Sequence, residues 1–309
     1  MDHRRPGRQP TPESTHVALA HMRPPRVPSS LMETTIPRPS DHLPVLCNFV
    51  RDQARQIDNG GLRDSNELSL RIRNFYTPAL MRELEAVAPG WQVMAAYADG
   101  TTLDHITRAL IALQNLPEYR QSGPDLRAMM EWTVLYHDVA KQVIDGQRDS
   151  LHAFRSGTLA ARALPTVGFP TSDGYAAGLE AWRQMVLNAS TEAPDGKGSI
   201  QDNRVLPEII RGIEQLFGAG SAAALIVQSV LLHQSLNVVP EWPNPGSLTD
   251  PELPHCIRPE LLPLLEALML VDSDAWQLFD PASRAKFRHS TLAVFADVRG
   301  LVKADPRSG

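Results

Sequence analysis

The chain has 309 residues, of which 42% are hydrophobic and 21% charged, as in ordinary globular proteins with a sizeable core. Its formal net charge of −5 gives no broad electrostatic reason to expect binding to long nucleic acid. No stretch approaches the roughly 20 apolar residues of a membrane helix, and no secretory signal is recognisable, so we expect a cytoplasmic protein without a membrane partner.

Residues 1–43 are rich in proline and arginine and show almost no hydrophobic periodicity. Such a segment cannot bury enough apolar surface to offset the entropy lost on ordering, so we predict a disordered tail that could serve a binding partner. Helical periodicity then recurs to about residue 303, and convincing strands are scarce. The sequence therefore predicts one all-α domain over residues 44–303.

The first predicted helices cover residues 43–57 and 66–87. Thr101 to Asp104 fits a capping box, which would begin a helix running to about residue 115. Further helices are expected at residues 125–143, 149–164, 176–187, 206–217, 221–237, 259–279 and 281–302. In the helix after residue 149, the small residues Ser156, Gly157 and Ala160 would let another helix approach closely.

Four histidines and two aspartates are the candidate metal ligands: His105, His137, Asp138, His152, His233 and Asp272. Between residues 43 and 254 the chain has no other histidine. Imidazole and carboxylate groups are preferred by borderline or hard divalent cations. Lys141 follows the adjacent pair on the same helical face. Because unpaired charges are costly inside an apolar bundle, these residues imply partners such as a metal and a bound anion.

Helical periodicity selects Asp272 rather than Asp274 as the inward carboxylate, because Asp272 continues the apolar stripe that contains Leu264 and Leu268. Asp274 points roughly the opposite way and is expected to be solvated or to support a ligand. The tryptophans are expected mainly in the core: Trp132, Trp182, Trp242 and Trp276. Trp182 and Tyr175 are the aromatic candidates for recognising a base.

This pattern resembles the HD-domain superfamily, which is named for a histidine followed by an aspartate in the order His, His-Asp, Asp. The resemblance covers roughly residues 100–280. The segments that carry it are Leu103-Asp104-His105-Ile106, Tyr136-His137-Asp138-Val139-Ala140-Lys141 and Leu270-Val271-Asp272. It implies an HD-domain-like helical bundle with an inserted helical and loop segment at about residues 165–220.

The resemblance also implies a set of metal ligands. His105, His137, Asp138 and Asp272 match the four residues with which family members hold one metal. His152 and His233 look like the two extra histidines of binuclear members, in which Asp138 would bridge both ions. The implied cofactor is one or two divalent ions per chain, drawn from Mn, Fe, Mg, Co, Ni and Zn.

A metal-dependent phosphohydrolase is the function implied by the resemblance. Metal-activated water would attack a small phosphate ester or a nucleotide, with Asp138 and Lys141 as catalytic residues. Lys141 and Arg155 would bind the substrate phosphate. Two alternatives stay open: a di-iron oxygenase of the HD type, which would use the same ligands, and a non-catalytic metal-stabilised sensor or scaffold that displays the tail.

Overall fold

The computed structural model describes residues 35–95, 100–142, 149–196, 198–238 and 244–304. Its helices are α1 (Pro39–His42), α2 (Pro44–Asp58), α3 (Ser65–Phe75), α4 (Pro78–Val87), α5 (Trp91–Ala95), α6 (Thr101–Asn115), α7 (Pro117–Gln121), α8 (Pro124–Tyr136), α9 (His152–Ala163), α10 (Tyr175–Asn188), α11 (Leu206–Phe217), α12 (Ala222–Leu232), α13 (Leu253–Cys256), α14 (Leu262–Trp276) and α15 (Pro281–Ala304). Two short strands, β1 (Ser190–Glu192) and β2 (Ser199–Gln201), pair antiparallel. The all-α prediction is confirmed.

Five helices form the part of the bundle that positions the candidate ligands: α6, α8, α9, α12 and α14. Helix α12 packs against α8, α9 and α14, and α14 also packs against α6 and α8. The sequence of α12 is apolar on nearly every side, which is the pattern of a helix in the centre of a bundle. Among the described residues, no helix combines the length and the apolar character needed to cross a membrane.

Helices α9 and α12 approach each other closely at Gly157. A Cβ atom added there would lie 3.3 Å from the Cβ of Leu231, so a larger residue would push the two helices apart. Ser156 and Ala160 are also fully buried, and the predicted close approach is confirmed. This packing matters for the site because α9 begins with His152 and α12 ends just before His233.

Helices α10 and α11, in the predicted insertion, pack against each other and against α9 and α12 respectively. A Cβ on Gly212 would lie 2.4 Å from the indole of Trp182, which is buried and donates a hydrogen bond to the carbonyl of Ile209. The hydroxyl of Tyr175 donates to the carbonyl of Ala161. Both aromatic candidates for base recognition are therefore engaged in helix packing.

Several helices differ from the prediction; the helix expected over residues 221–237, for example, ends at Leu232. The helix expected over residues 66–87 is two helices, because Pro78 disfavours helical backbone at Thr77, whose hydroxyl instead caps α4. Helix α8 ends at Tyr136, so Lys141 lies in the turn that follows it. The predicted capping box is also wrong: the N-cap of α6 is Gly100, and Asp104 accepts hydrogen bonds from Ser69 and Arg108.

The predicted disordered tail is wrong for residues 35–43, and its residues 1–34 lie outside the described residues. Pro39 begins helix α1, and both Pro39 and Leu43 are buried. The indole of Trp132 donates a hydrogen bond to the carbonyl of Pro37 at 2.8 Å. The proline content suggested disorder. Instead, this segment is held in place by contacts with a tryptophan that lies 95 residues further along the chain.

Candidate metal centre

All six predicted ligands come together, and most of them lie at helix ends. His105 lies near the start of α6, and His152 is the first residue of α9. His137 and Asp138 follow α8 directly, and His233 follows α12. Asp272 lies within α14. These residues form two groups. Within each group the ligand atoms all lie within 4.8 Å of one another, and each group could hold a metal ion.

The first group consists of His105, His137 and Asp272. The Nε2 atoms of the two histidines are 3.4 Å apart. The Oδ1 atom of Asp272 lies 2.8 Å from Nε2 of His105 and 3.6 Å from Nε2 of His137. The inward orientation that helical periodicity predicted for Asp272 is confirmed.

The second group consists of Asp138, His152 and His233. The Nε2 atoms of His152 and His233 are 3.1 Å apart. The Oδ1 atom of Asp138 lies 2.9 Å from Nε2 of His152 and 3.5 Å from Nε2 of His233. As in the first group, two imidazole nitrogens and one carboxylate oxygen face a common point.

Asp138 also faces the first group. While Oδ1 contacts the second group, Oδ2 lies 3.7 Å from Nε2 of His105 and 2.7 Å from Nζ of Lys141. One carboxylate therefore stands between the two groups: Oδ2 faces His105, while Oδ1 faces the second group and also lies 3.9 Å from Nε2 of His137. If each group held an ion, this position would suit a bridging ligand.

Backbone carbonyls fix the tautomer of three of the four histidines. Nδ1 of His137 lies 2.8 Å from the carbonyl of Val134, and Nδ1 of His233 lies 2.7 Å from that of Val230. Nδ1 of His152 is 2.5 Å from the carbonyl of Asp149. Because a carbonyl can only accept, each Nδ1 must carry a proton, so in the neutral ring the Nε2 lone pair is left for a metal.

These lone pairs provide a test of whether a metal fits. In the neutral tautomers just described, the Nε2 atoms of His152 and His233 are both acceptors, yet they face each other at 3.1 Å inside the protein. Two acceptors repel at this distance unless a proton or a metal cation lies between them. Bonds of roughly 2.0–2.2 Å from one ion to nitrogen and oxygen would fit the observed spacing of each group. The donor set therefore fits a divalent metal.

The electrostatics favour the ligand forms of the carboxylates. Burial alone would raise the pKa of Asp138, but Lys141 and the surrounding imidazoles outweigh it and hold this pKa well below its usual value. The pKa of Asp272 is likewise lowered by His105 and His137 despite burial. Burial lowers the pKa of His233 and so favours the neutral ring, although Asp138 acts in the opposite direction. Both acids are thus ionised, as metal ligands must be.

A second set of contacts holds the chain around the ligands. The hydroxyl of Ser156 accepts from the amide of Ala140, which fixes the turn after Asp138. The buried carboxylate of Asp149 accepts from the amide of Gln142 and pairs with Arg155. Asp149 was not singled out from the sequence, although its place just before a helix start is a weak signal for such a role.

Arg155 lies in that supporting set rather than beside the ligands. Its guanidinium pairs with Asp149 and donates to the carbonyl of Ala140. Its predicted contact with a substrate phosphate stays a prediction. Lys141, in contrast, lies directly against the ligands through Asp138.

The site opens to solvent on one side. The side chains of Asp272 and Lys141 are 33% and 38% exposed, whereas the other five ligands are buried. Trp276, expected in the core, is instead 56% exposed and stacks on His105. The expectation of a solvated Asp274 is also wrong, because this residue is buried and burial raises its pKa to about 6.

Comparison of the chain with protein-family models, with curated proteins and with solved structures found no significant match. The assignment of a function therefore depends on the geometry of the two ligand groups and on the side chains around them.

Proposed function

We propose that this protein is a metal-dependent phosphohydrolase of the HD type that acts on a small phosphate ester. The observation that carries the proposal is the position of Asp138, whose two carboxylate oxygens face two separate groups of metal ligands while Lys141 contacts one of them. Paired ligand groups bridged by one carboxylate are suited to two ions that act together on a phosphoryl group.

Divalent ions bound to the two groups would supply Lewis acidity, lower the pKa of a bound water and neutralise charge on the phosphoryl oxygens. The protein contributes the placement of these ions. Hydrogen bonds from the histidine Nδ1 atoms to backbone carbonyls orient three imidazoles, so little reorganisation is needed during the reaction.

Lys141 favours an anionic substrate. Its ammonium group lies 2.7 Å from Asp138 and is 38% exposed, so it can contact a molecule that enters from solvent while remaining next to the ligands. An ammonium beside two metal positions adds positive charge where a phosphate dianion would bind. An oxygenase acting on a neutral substrate has no comparable need for this cation.

The burial of five candidate ligands, with only partial exposure of Asp272 and Lys141, favours a small ester over a polymer. The net charge of −5 is also unfavourable to a long polyanion. Identity of the metal does not follow from this donor set, since imidazole and carboxylate suit Mn, Fe, Co, Ni and Zn alike.

The direct test is phosphate release by the full chain. The protein is stripped with a chelator, reloaded with Mn²⁺, Fe²⁺, Co²⁺ or Zn²⁺ in turn, and assayed with a panel of phosphate monoesters and diesters. We expect metal-dependent turnover that D138N abolishes. K141M should lower kcat/KM by about ten- to a hundredfold, because one charge-assisted contact to the phosphate is lost.

K303M is the matched control, because Lys303 is an exposed lysine at the end of α15 and should leave kcat/KM unchanged. Absence of phosphate release with every metal, together with oxygen consumption by the Fe²⁺ form, would favour the oxygenase. If no metal binds tightly, both enzymatic alternatives are wrong.

A further inference from the structure

Trp276 occupies an unusual place for an exposed tryptophan. It is the last residue of α14, one turn after Asp272, so the two side chains share a face of the helix. One face of its indole stacks on the imidazole of His105, with ring centroids 4.8 Å apart and planes inclined by 17°. Even so, 56% of the residue is exposed.

The other large exposed hydrophobic residues among those described are Val45, Leu70 and Leu187. They lie on α2, α3 and α10, which carry none of the candidate ligands. Isolated exposed apolar side chains need no functional explanation. Trp276 differs because its ring is in direct contact with a ligand histidine at the open side of the site.

His105 contributes a second observation. Its Nδ1 is buried and has no hydrogen-bond partner among the described residues, unlike Nδ1 of the other three histidines. The ring is held by stacking against the indole in place of a carbonyl. One face of Trp276 is thus used by the protein, and the opposite face is available to a ligand.

Two partly exposed side chains thus adjoin the ligand groups: the ammonium group of Lys141, which contacts Asp138, and the indole of Trp276, which stacks on His105. A phosphate bound beside Lys141 and the ligand groups would have its alcohol portion directed outward. A flat aromatic ring on that alcohol could lie on the exposed indole face, since aromatic rings stack favourably in offset arrangements.

We infer that Trp276 is a stacking platform that makes the site selective for phosphate monoesters whose alcohol carries a planar aromatic ring. This inference rests on the proposed phosphohydrolase function. Stacking of one base on one aromatic side chain corresponds to about a five- to hundredfold preference.

The test compares two esters that share the ribose phosphate and differ in the base: adenosine 5′-monophosphate and ribose 5-phosphate. With the Mn²⁺-loaded full chain, the ratio of the two kcat/KM values should favour the aromatic ester by at least fivefold. W276A should bring the ratio close to one, mainly through a higher KM for the aromatic ester, and W276F should restore part of the preference. L187A, a truncation of an exposed leucine on α10, should leave the ratio unchanged.

Metal affinity separates this role from a structural one. If W276A weakens Mn²⁺ binding tenfold and both esters lose kcat/KM equally, Trp276 only positions His105 and the inference is wrong. A wild-type ratio near one, or a ratio unaffected by W276A, also overturns it.

If the wild-type protein hydrolyses neither ester, that result counts against the proposed function and leaves the stacking platform to be tested by binding. Calorimetric titration of both esters into the Mn²⁺-loaded protein should then show tighter binding of adenosine 5′-monophosphate, and W276A should abolish the difference. Equal affinities for the two esters in the wild-type protein would refute the platform.

Discussion

Replacement of Asp149 by asparagine tests whether the chain around the ligands is held as described. One oxygen of this buried carboxylate accepts from the Gln142 amide and pairs with Arg155, and the other lies near the amide of Leu151. Asparagine preserves the size and one acceptor oxygen. It removes the negative charge, which leaves the Arg155 guanidinium, 23% exposed, without its carboxylate.

The expected loss of stability follows from that contact. A hydrogen bond to a charged group contributes about 1.5–3 kcal/mol, and removing one partner of a buried pair costs about 3–5 kcal/mol. Because Arg155 is partly exposed, we expect D149N to lower the free energy of unfolding by about 2–3 kcal/mol. Urea unfolding of the metal-free protein, followed by circular dichroism, measures this change without a contribution from bound metal.

The same substitution should weaken metal binding by about tenfold, because the carbonyl of Asp149 orients His152 and the altered segment would shift it. D52N is the matched control: it removes an aspartate from an exposed pair with Arg55 and should change the stability by less than about 1 kcal/mol. If D149N is as stable as the wild-type protein, Asp149 does not hold the segment.

Three further predictions concern packing, pH and metal removal. G212A should lower the free energy of unfolding by about 1–3 kcal/mol, because the new methyl group collides with Trp182. G300A is the control: it places a methyl group in open space on α15 and should leave the free energy of unfolding unchanged or slightly higher. Chemical denaturation of both variants measures the difference. Burial raises the pKa of Glu131 above its ordinary value of 4.5, so the folded protein holds a proton that the unfolded chain releases as pH rises. Stability from this group is therefore present below the ordinary pKa and is lost as pH rises above it. In urea titrations, E131Q should gain stability relative to the wild-type protein as the pH rises above 4.5. If the stabilities of E131Q and the wild-type protein change with pH in parallel, the raised pKa of Glu131 is contradicted. Chelation should lower the melting temperature, and metal added at about 100 times its Kd should restore about 2.7 kcal/mol of stability; a melting temperature insensitive to both would argue against a native metal site.

The candidate ligands could be identified from the sequence because few residues of their type were available. Histidine is absent between residues 43 and 254 apart from the four ligands, so the choice was small. Helical periodicity correctly selected Asp272 as the aspartate that faces the histidines, but it was wrong about Asp274, which is the more buried of the two. Most of these ligands lie at or next to helix ends, but the sequence did not predict the ends of α8 and α12: it placed His137, Asp138 and His233 inside longer helices.

The supporting contacts depend on tertiary packing and could not be predicted in the same way. The pairing of Asp149 with Arg155 requires the turn after α8 to fold back onto α9, which local patterns do not encode. Trp276 is a large aromatic residue of the kind expected in a core, and it is exposed because it lies at the last position of α14. The order in residues 35–43 depends on tertiary contacts, among them the hydrogen bond from Trp132 to Pro37 and the burial of Leu43 in the core.

The measurement that tests the central claim most directly is anomalous diffraction from crystals of the full chain grown with Mn²⁺. Two anomalous peaks are expected: one bounded by His105, His137 and Asp272, and one bounded by His152 and His233, with Asp138 in contact with both. Peaks elsewhere on the surface with none among these six side chains would contradict the metal centre and the function built on it.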